Sequence, residues 1–304
     1  MTTPPPSPTL DSSPLARIGR SALHAAGYLG GTASVALKAL QRDQAEGSAD
    51  DRVSAQLAWI FALGFPFVTL VHVGIGSFLA MQSYFGGTFA EGTGAVVGVG
   101  LLRNLSSLLA GLSLAALVAA RMVPELRART RAARLTPVPE IDPPGFLART
   151  AAGQTLRRDS GRPPEATVSG RGVSSRLIAA TLAGPVLGIW GAAVGTLVGW
   201  QVARVMIGVS THTFFRMFWD MLWMRDVLGL VVKGVLFGAF AGIFSCHEGL
   251  RGRDDDGLNE VSQAASRAAC FTAVGILIFN SGWFILFYHA GPAFGPTLLE
   301  PPVL

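Results

Sequence analysis

Two basic side chains lie within or beside otherwise uncharged, apolar stretches of the sequence. Arg103 directly precedes the charge-free stretch 104–120, and Lys233 is the only charged residue between positions 227 and 247. A cation in hydrocarbon is costly unless it faces a cavity, a partner or the lipid headgroups. Both side chains are near enough to the end of their stretch to snorkel towards an interface. Apolar surface combined with a few cations suits an amphiphile with a phosphate head, so both residues are candidate binding residues.

Other reactive residue types form no catalytic arrangement. Cys246, His247 and Glu248 are consecutive, so on a helix they point in different directions, and no second ligand cluster accompanies them. A lone His72 inside an apolar stretch is more typical of a packing residue than of a proton relay. The glycines of 92–100 form neither a phosphate loop nor a dinucleotide-binding turn. We therefore expect no catalytic residue, no metal site, no cofactor and no nucleotide hydrolysis by this chain.

Long stretches without charge must position these residues. Half of the 304 residues are hydrophobic and 14% are charged, whereas a soluble domain carries about a quarter of charged residues. Each stretch approaches or exceeds the ~20 residues with which a helix crosses a bilayer. The sequence excludes a soluble globule, a disordered chain and, with two cysteines, a disulfide scaffold. It predicts an all-α, polytopic membrane protein with five spans, at about 53–82, 94–121, 176–206, 227–246 and 267–289.

The remaining segments complete the domain organisation. Residues 1–14 are rich in Pro, Ser and Thr and indicate a disordered tail without a cleavable signal peptide. Residues 15–52 predict an interfacial elbow helix followed by a polar connector. The five-span domain then covers 53–290, and 291–304 form an outer tail. The second and third spans are joined by the long connector 121–176, which is rich in Arg and Pro.

The distribution of basic residues predicts the orientation. The segments 1–52, 121–176 and 246–267 hold nineteen Lys and Arg residues, whereas the loops on the other side hold two, Arg216 and Arg225. Because basic loops stay in the cytosol, we expect the N-terminus inside, the C-terminus outside and the chain in the inner membrane. Nucleic-acid binding is not expected, since Phe146 is the only aromatic residue among the connector arginines.

Two predicted spans carry small residues at helical spacing. The third span has glycines four residues apart at 184 and 188 and again at 191, 195 and 199, and the fourth has them at 234, 238 and 242. Such faces let another backbone approach closely. The spacing leaves two interpretations open: helix packing within one subunit, or contact with a second copy or sliding during transport.

Several motifs resemble those of one family. Leu101 to Leu105 is similar to a Leu-Leu-Arg-Glu-Leu motif, and Glu125 falls on the acid of a later Ala-Glu-Leu-Gly. Val173 to Arg176 with a downstream proline resembles the opening of the third span. Lys233, Phe237, Gly249 and Val261 to Arg267 follow the pattern around the fourth span and its loop. In order and spacing these motifs resemble the MlaE/YrbE-type permeases, the membrane subunits of lipid ABC transporters that work with MCE proteins.

The resemblance implies a function and a set of partners. It implies a homodimer that encloses a phospholipid pocket, a separate cytosolic ABC ATPase and an MCE-domain protein. Arg103, Asn104 and Lys233 would lie at the lipid pocket or the dimer interface. Glu125, Arg176 and Arg267 would couple the ATPase to the spans through the cytosolic loops.

Some positions depart from the family pattern. Asn104 replaces an acid, Asn280 falls where an acid is usual, and the connector is unusually long, with seven prolines. Its longest proline-free stretch, 145–158, could form the helix that docks on the ATPase. Two alternatives therefore stay open: a permease-derived membrane scaffold that does not transport, and an ATP-independent secondary transporter that uses His72, Lys233 or Arg103.

Overall fold

The computed structural model describes residues 14–40, 52–85, 92–135, 172–252 and 257–289. Four sequence predictions lie outside these residues: the N-terminal tail up to residue 13, nearly all of the polar connector 42–52, the possible docking helix at 145–158, and the outer tail 291–304.

The described residues form helices and include no β-strand. The α-helices are α1 (Pro14–Leu40), α2 (Val53–Phe85), α3 (Ser106–Leu135), α4 (Val173–Val202), α5 (Thr211–Met221), α6 (Met224–Leu250) and α7 (Leu258–Phe284). Two π-helical turns, Ala95–Val99 and Leu101–Leu105, lead into α3, and further π-turns follow α4 and α7 at Ala203–Ile207 and Ile285–His289.

Five helical stretches are long and apolar enough to cross a membrane. They are Val53–Phe85, Ala95–Ala132, Val173–Ile207, Met224–Leu250 and Leu258–Phe287. Each contains most or all of one predicted span, so the prediction of an all-α membrane protein with five spans is confirmed. The helical stretches extend beyond the predicted spans at the end of the second, at both ends of the fourth and at the start of the fifth. For example, α3 continues past residue 121 to Leu135 and carries Glu125 on its last turns.

The helices α3, α4 and α6 form the centre of the bundle. Helix α4 packs between α2 and α6, while α3 packs against α6 and α7, and α1 lies against α6. Buried side chains from four helices meet in one apolar core, among them Ile60, Val68, Leu114, Leu187 and Ala241. Helices α2 and α7 therefore flank the bundle.

Glycines bring α4 into backbone contact with both of its neighbours. A Cβ on Gly184 would overlap the carbonyl of Gly234, and one on Gly238 would overlap the carbonyl of Ala180. Towards α2, a Cβ on Gly76 of α2 would overlap the carbonyl of Gly195 of α4. The glycine faces of α4 and α6 are thus used within one chain, which favours the first of the two interpretations of their spacing.

Helix α5 lies in the segment 209–226, for which the charge pattern predicts only an outer loop. Ser210 caps the helix by accepting a hydrogen bond from the Thr213 amide, at 3.1 Å. Phe214 and Phe218, four residues apart, are buried, and Trp219 is exposed. We call this side of the molecule the α5 end, and the opposite side, where α3 ends and α6 meets α7, the α1 end.

Candidate functional site

Arg103 forms a two-bond ion pair with Asp226 at the α5 end. The Arg103 Nε and Nη2 atoms donate to the two carboxylate oxygens of Asp226, each at 3.0 Å. The Asp226 side chain is fully buried and also accepts a hydrogen bond from the Trp223 amide, which caps the start of α6. Paired bonds between guanidinium and carboxylate are among the strong, orientation-specific polar contacts in proteins. The pair joins the start of α3 to the start of α6.

Lys233 is tied into the same cluster. Its ammonium group donates to the Arg103 carbonyl at 2.7 Å and to the Asn280 side-chain oxygen at 3.4 Å. Lys233 is buried, so its side chain does not snorkel towards an interface. Its ammonium group instead links α6 to α7 and to the turn that leads into α3. The neighbouring Asn104 has a buried side-chain oxygen without a hydrogen-bond partner among the described residues. The structure thus brings Arg103 and Lys233 together, with Asn104 beside them in sequence.

Glu125 and Arg176 meet at the α1 end. The Arg176 Nη2 atom lies 2.7 Å from Glu125 Oε1, and Nη1 donates to the Gly172 carbonyl at 2.9 Å. Arg129 donates to the same Glu125 oxygen at 2.9 Å. The Arg176 side chain is fully buried, whereas that of Arg129 is 35% exposed. The last turns of α3 and the first turn of α4, which flank the connector in sequence, are therefore joined by a buried cation.

Arg267 pairs with Glu248 rather than with the Glu125 cluster. Its Nε and Nη2 atoms lie 3.2 and 3.0 Å from Glu248 Oε2. The Glu248 side chain is almost completely buried, and its backbone carbonyl accepts a hydrogen bond from Arg127 at 3.3 Å. This second network joins α3, α6 and α7.

Sequence reasoning missed both buried acids, Asp226 and Glu248. Asp226 falls at the edge of a predicted outer loop, and Glu248 is one of three adjacent residues considered only for metal binding and catalysis. The sequence did contain a usable signal. Each acid lies at one end of the predicted fourth span, and a basic residue lies near the same side of the membrane on another predicted span. Pairing these residues requires the helix packing, since Arg103 and Asp226 are 123 positions apart.

A cavity of about 880 Å³ opens at the α1 end between α1, α6 and α7. We call it the α1-end cavity. Its lining is polar on one side and apolar on the other: Tyr28, Arg127, Glu248, Arg251, Glu260, Gln263 and Arg267, then Leu29, Phe244, Phe271, Val274, Gly275 and Ile278. Burial raises the pKa of the Tyr28 phenol well above its usual range, and the charge of Glu248 adds to this shift. Sequence analysis did not predict this cavity, because it exists only where α1 lies against α6.

The reactive residue types singled out in the sequence lie apart from one another or are packed in the bundle. The described residues contain no group of three His, Cys, Asp or Glu side chains that could hold a metal ion. Cys246 is buried, and the His247 ring packs edge-on against Tyr28, with ring centres 4.7 Å apart. His72 is buried and bonded through Nδ1 to the Val68 carbonyl at 2.8 Å. The pairs of Arg103 with Asp226, Arg176 with Glu125 and Arg267 with Glu248 each connect two helical segments.

Known proteins with similar sequences are described as permeases. Residues 168–285, which include Arg176, Lys233 and Arg267, match the family described as Permease MlaE. A probable ABC transporter permease protein of Rickettsia typhi is 28% identical over 231 residues, 75% of this chain and 80% of that protein. A protein of Rickettsia bellii with the same description is 29% identical over 228 residues, 74% of this chain and 78% of that protein. Together with the five spans, these similarities support an MlaE-type permease in this multi-pass membrane protein.

Proposed function

We propose that the chain is the permease subunit of an ABC-type transporter that moves phospholipid between membranes. The relatives described as probable ABC transporter permeases support this role. Because the sequence has no phosphate loop, ATP is hydrolysed by a separate cytosolic ATPase chain. An MCE-domain protein on the outer side completes the assembly, as the resemblance of the motifs implies.

The observation that carries the proposal is the Glu125–Arg176 ion pair. The two residues flank the connector in sequence, and their side chains are 2.7 Å apart. A force applied to the connector by an ATPase therefore reaches α3 and α4 together, near a buried charge that resists separation. Helix α4 packs against both α2 and α6, so a shift of α4 is passed on to the rest of the bundle.

The lipid contacts lie at the other end of the same helices. Arg103 is partly exposed, its side chain at 31%, within apolar surroundings. Its charge is matched by Asp226, so the exposed part of the guanidinium offers hydrogen-bond donors to a phosphate head, and Lys233 holds the Arg103 backbone in place. Two copies of the chain enclose the lipid between them, with Asn104 beside the cluster. Helix α7 flanks the bundle and exposes apolar side chains such as Leu277 and Ile278, which a second copy or lipid can cover.

Charge reversal of the ion pair tests the coupling role. We expect Glu125→Arg and Arg176→Glu each to abolish ATP-dependent transfer of a fluorescent phospholipid between vesicles that contain the complete transporter. The amount of protein in the membrane should stay near the wild-type level. The double variant, which restores an ion pair of opposite order, should recover part of the transfer.

Arg129→Gln is the matched control, since Arg129 contacts the same Glu125 oxygen from a partly exposed position within α3 and should leave transfer unchanged. Wild-type transfer in the single charge-reversal variants would reject the coupling role. Failure of any ATPase to co-purify would favour a scaffold, and transfer without ATP would favour a secondary transporter.

A further inference from the structure

We propose that the α1-end cavity binds one anionic phospholipid from the adjacent membrane leaflet, with its phosphate against Arg251 and one acyl chain along α7. This site lies at the opposite end of α6 from the Arg103 cluster. It belongs to a single chain, so it goes beyond the proposed transport function and does not depend on an ATPase.

Arg251 provides the anion-binding group. Its Nη1 atom lies 3.4 Å from His247 Nε2, and its guanidinium is 5.8 Å from the centre of the Tyr28 ring. No carboxylate of the described residues forms an ion pair with it. By contrast, the charge of the nearby Arg267 is matched by Glu248. Arg251 therefore keeps a positive charge that a phosphate ester can approach and bond.

The net charge of the lining favours the same ligand. Among the described residues, three arginines and two glutamates line the cavity, so these side chains carry one excess positive charge. Glu260 lies at the exposed rim, while Arg127 and Arg267 flank the buried Glu248. An anionic headgroup neutralises the excess charge, whereas a zwitterionic one does not.

The apolar side of the cavity fits an acyl chain. Phe271, Val274 and Ile278 follow one face of α7 at helical spacing, and Phe244 of α6 completes the wall. The α7 side chains are also exposed at the surface, so a chain can enter sideways from the bilayer. The volume of about 880 Å³ lies within the range of about 300–1,000 Å³ typical of ligand pockets. It therefore accommodates a headgroup and one chain.

The depth of the cavity points to a lipid rather than to a soluble ligand. Arg251 is the residue at which the spanning helix α6 ends, which places it at the level of the lipid headgroups. Helix α1 covers the cavity from the side. A Cβ on Gly31 would overlap the His247 ring, so this glycine allows α1 to come close enough to form the wall that contains Tyr28 and Leu29.

A pair of glycines on α7 provides the test of the apolar half. A Cβ on Gly275 would lie 3.7 Å from Phe240 and Phe244, an ordinary contact, so Gly275→Leu can fold and fills the cavity. Gly282 lies on the same helix with nothing within 4 Å, so Gly282→Leu is the matched control. For the headgroup, Arg251→Gln is compared with Arg216→Gln, since Arg216 is exposed on α5.

The measurement is native mass spectrometry of the purified, delipidated chain titrated with dioleoyl-phosphatidylglycerol. We expect Gly275→Leu and Arg251→Gln each to lower the fraction carrying one lipid by roughly fivefold; for Arg251→Gln this equals the net contribution of about one ordinary hydrogen bond. Both controls should bind like the wild type. Dioleoyl-phosphatidylcholine should bind more weakly, and inorganic phosphate should not compete.

Other outcomes overturn the proposal. Equal lipid retention by Arg251→Gln and the wild type, or equal losses in Gly275→Leu and Gly282→Leu, would contradict it. Equal binding of phosphatidylcholine would contradict the charge argument, and displacement by inorganic phosphate would indicate a site for a free anion. If Gly275→Leu does not fold, Gly275→Ala together with Arg251→Gln decides the question.

Discussion

The carboxylate of Asp226 compensates the positive charge of Arg103 at the α5 end. Its carboxylate is fully buried and holds Arg103 through two bonds of 3.0 Å. The carbonyl of Arg103 in turn accepts the bond from Lys233. Removing one partner of a buried ion pair leaves the other charge without compensation, which costs more than the pair itself contributes.

We therefore expect Asp226→Asn to lower the free energy of unfolding by about 3 kcal/mol, the usual cost of a broken buried pair. The unfolding temperature of the purified chain in detergent should fall by several degrees. Asp220→Asn is the control, because Asp220 pairs with Arg216 at 3.7 Å in an exposed position and should change stability by less than about 1 kcal/mol. Similar unfolding temperatures for the two variants would contradict the buried-pair argument.

The residue types of the site are partly visible in the sequence, but their partners are not. Arg103 and Lys233 stand out because a charge inside an apolar span is expensive. Their contacts with Asp226 and Asn280 depend on the rotation of three helices about their axes. No local pattern contains that information, so the sequence identifies the cations and the packing identifies what holds them.

At the level of elements, glycine determines how closely α4 approaches α6. Gly238 of α6 lies against the Ala180 carbonyl of α4, and Gly234 lies against Pro185. Gly188 belongs to the same pattern but has more space, since its Cβ would lie 3.5 Å from Leu230 and 3.9 Å from Ser107. Glycines at equal spacing along a helix can therefore differ in how closely the neighbouring helix packs against them.

This difference predicts opposite results for two identical substitutions. Gly238→Ala should destabilise the chain by about 1–3 kcal/mol, the typical cost of overpacking, because backbone atoms cannot move aside. Gly188→Ala should be neutral or slightly stabilising, since alanine favours helix over glycine. Thermal unfolding in detergent and the yield of monodisperse protein measure both effects. Equal tolerance at the two positions would show that α4 and α6 are not in backbone contact.

The spans themselves are predictable because about twenty consecutive apolar residues without a charge are typical of a membrane-spanning helix. Helix α5 and the last turns of α3 cannot be predicted from hydropathy, for a physical reason. Both consist of mixed polar and apolar residues, and their helical state is fixed by tertiary contacts: Phe214 and Phe218 are buried against the bundle, and Glu125 holds Arg176. Such stretches are indistinguishable from loops when only hydropathy is considered.

At the scale of the whole molecule, charge separates the two ends of the bundle. Arg127, Arg176, Arg251 and Arg267 lie at the α1 end, as parts of its ion-pair networks and cavity. The α5 end holds Arg216 and Arg225 in its surface segment, and Arg103 and Lys233 in the cluster with Asp226. Since basic residues stay on the cytosolic side, the α1 end should face the cytosol. The proposed coupling pair Glu125–Arg176 and the Arg103 cluster would then lie on opposite sides of the membrane.

Two exposed arginines allow this orientation to be measured. After Cys246→Ala and Cys270→Ala, we expect Arg216→Cys to react with a membrane-impermeant maleimide in intact spheroplasts. Arg52→Cys, which lies just before α2 and is also exposed, should react only after permeabilisation. Both positions are accessible to water in the fold, so a difference in labelling reports the membrane barrier rather than burial. The reverse labelling pattern would mean that the bundle has the opposite orientation in the membrane. The Glu125–Arg176 pair would then lie where no cytosolic ATPase could reach it.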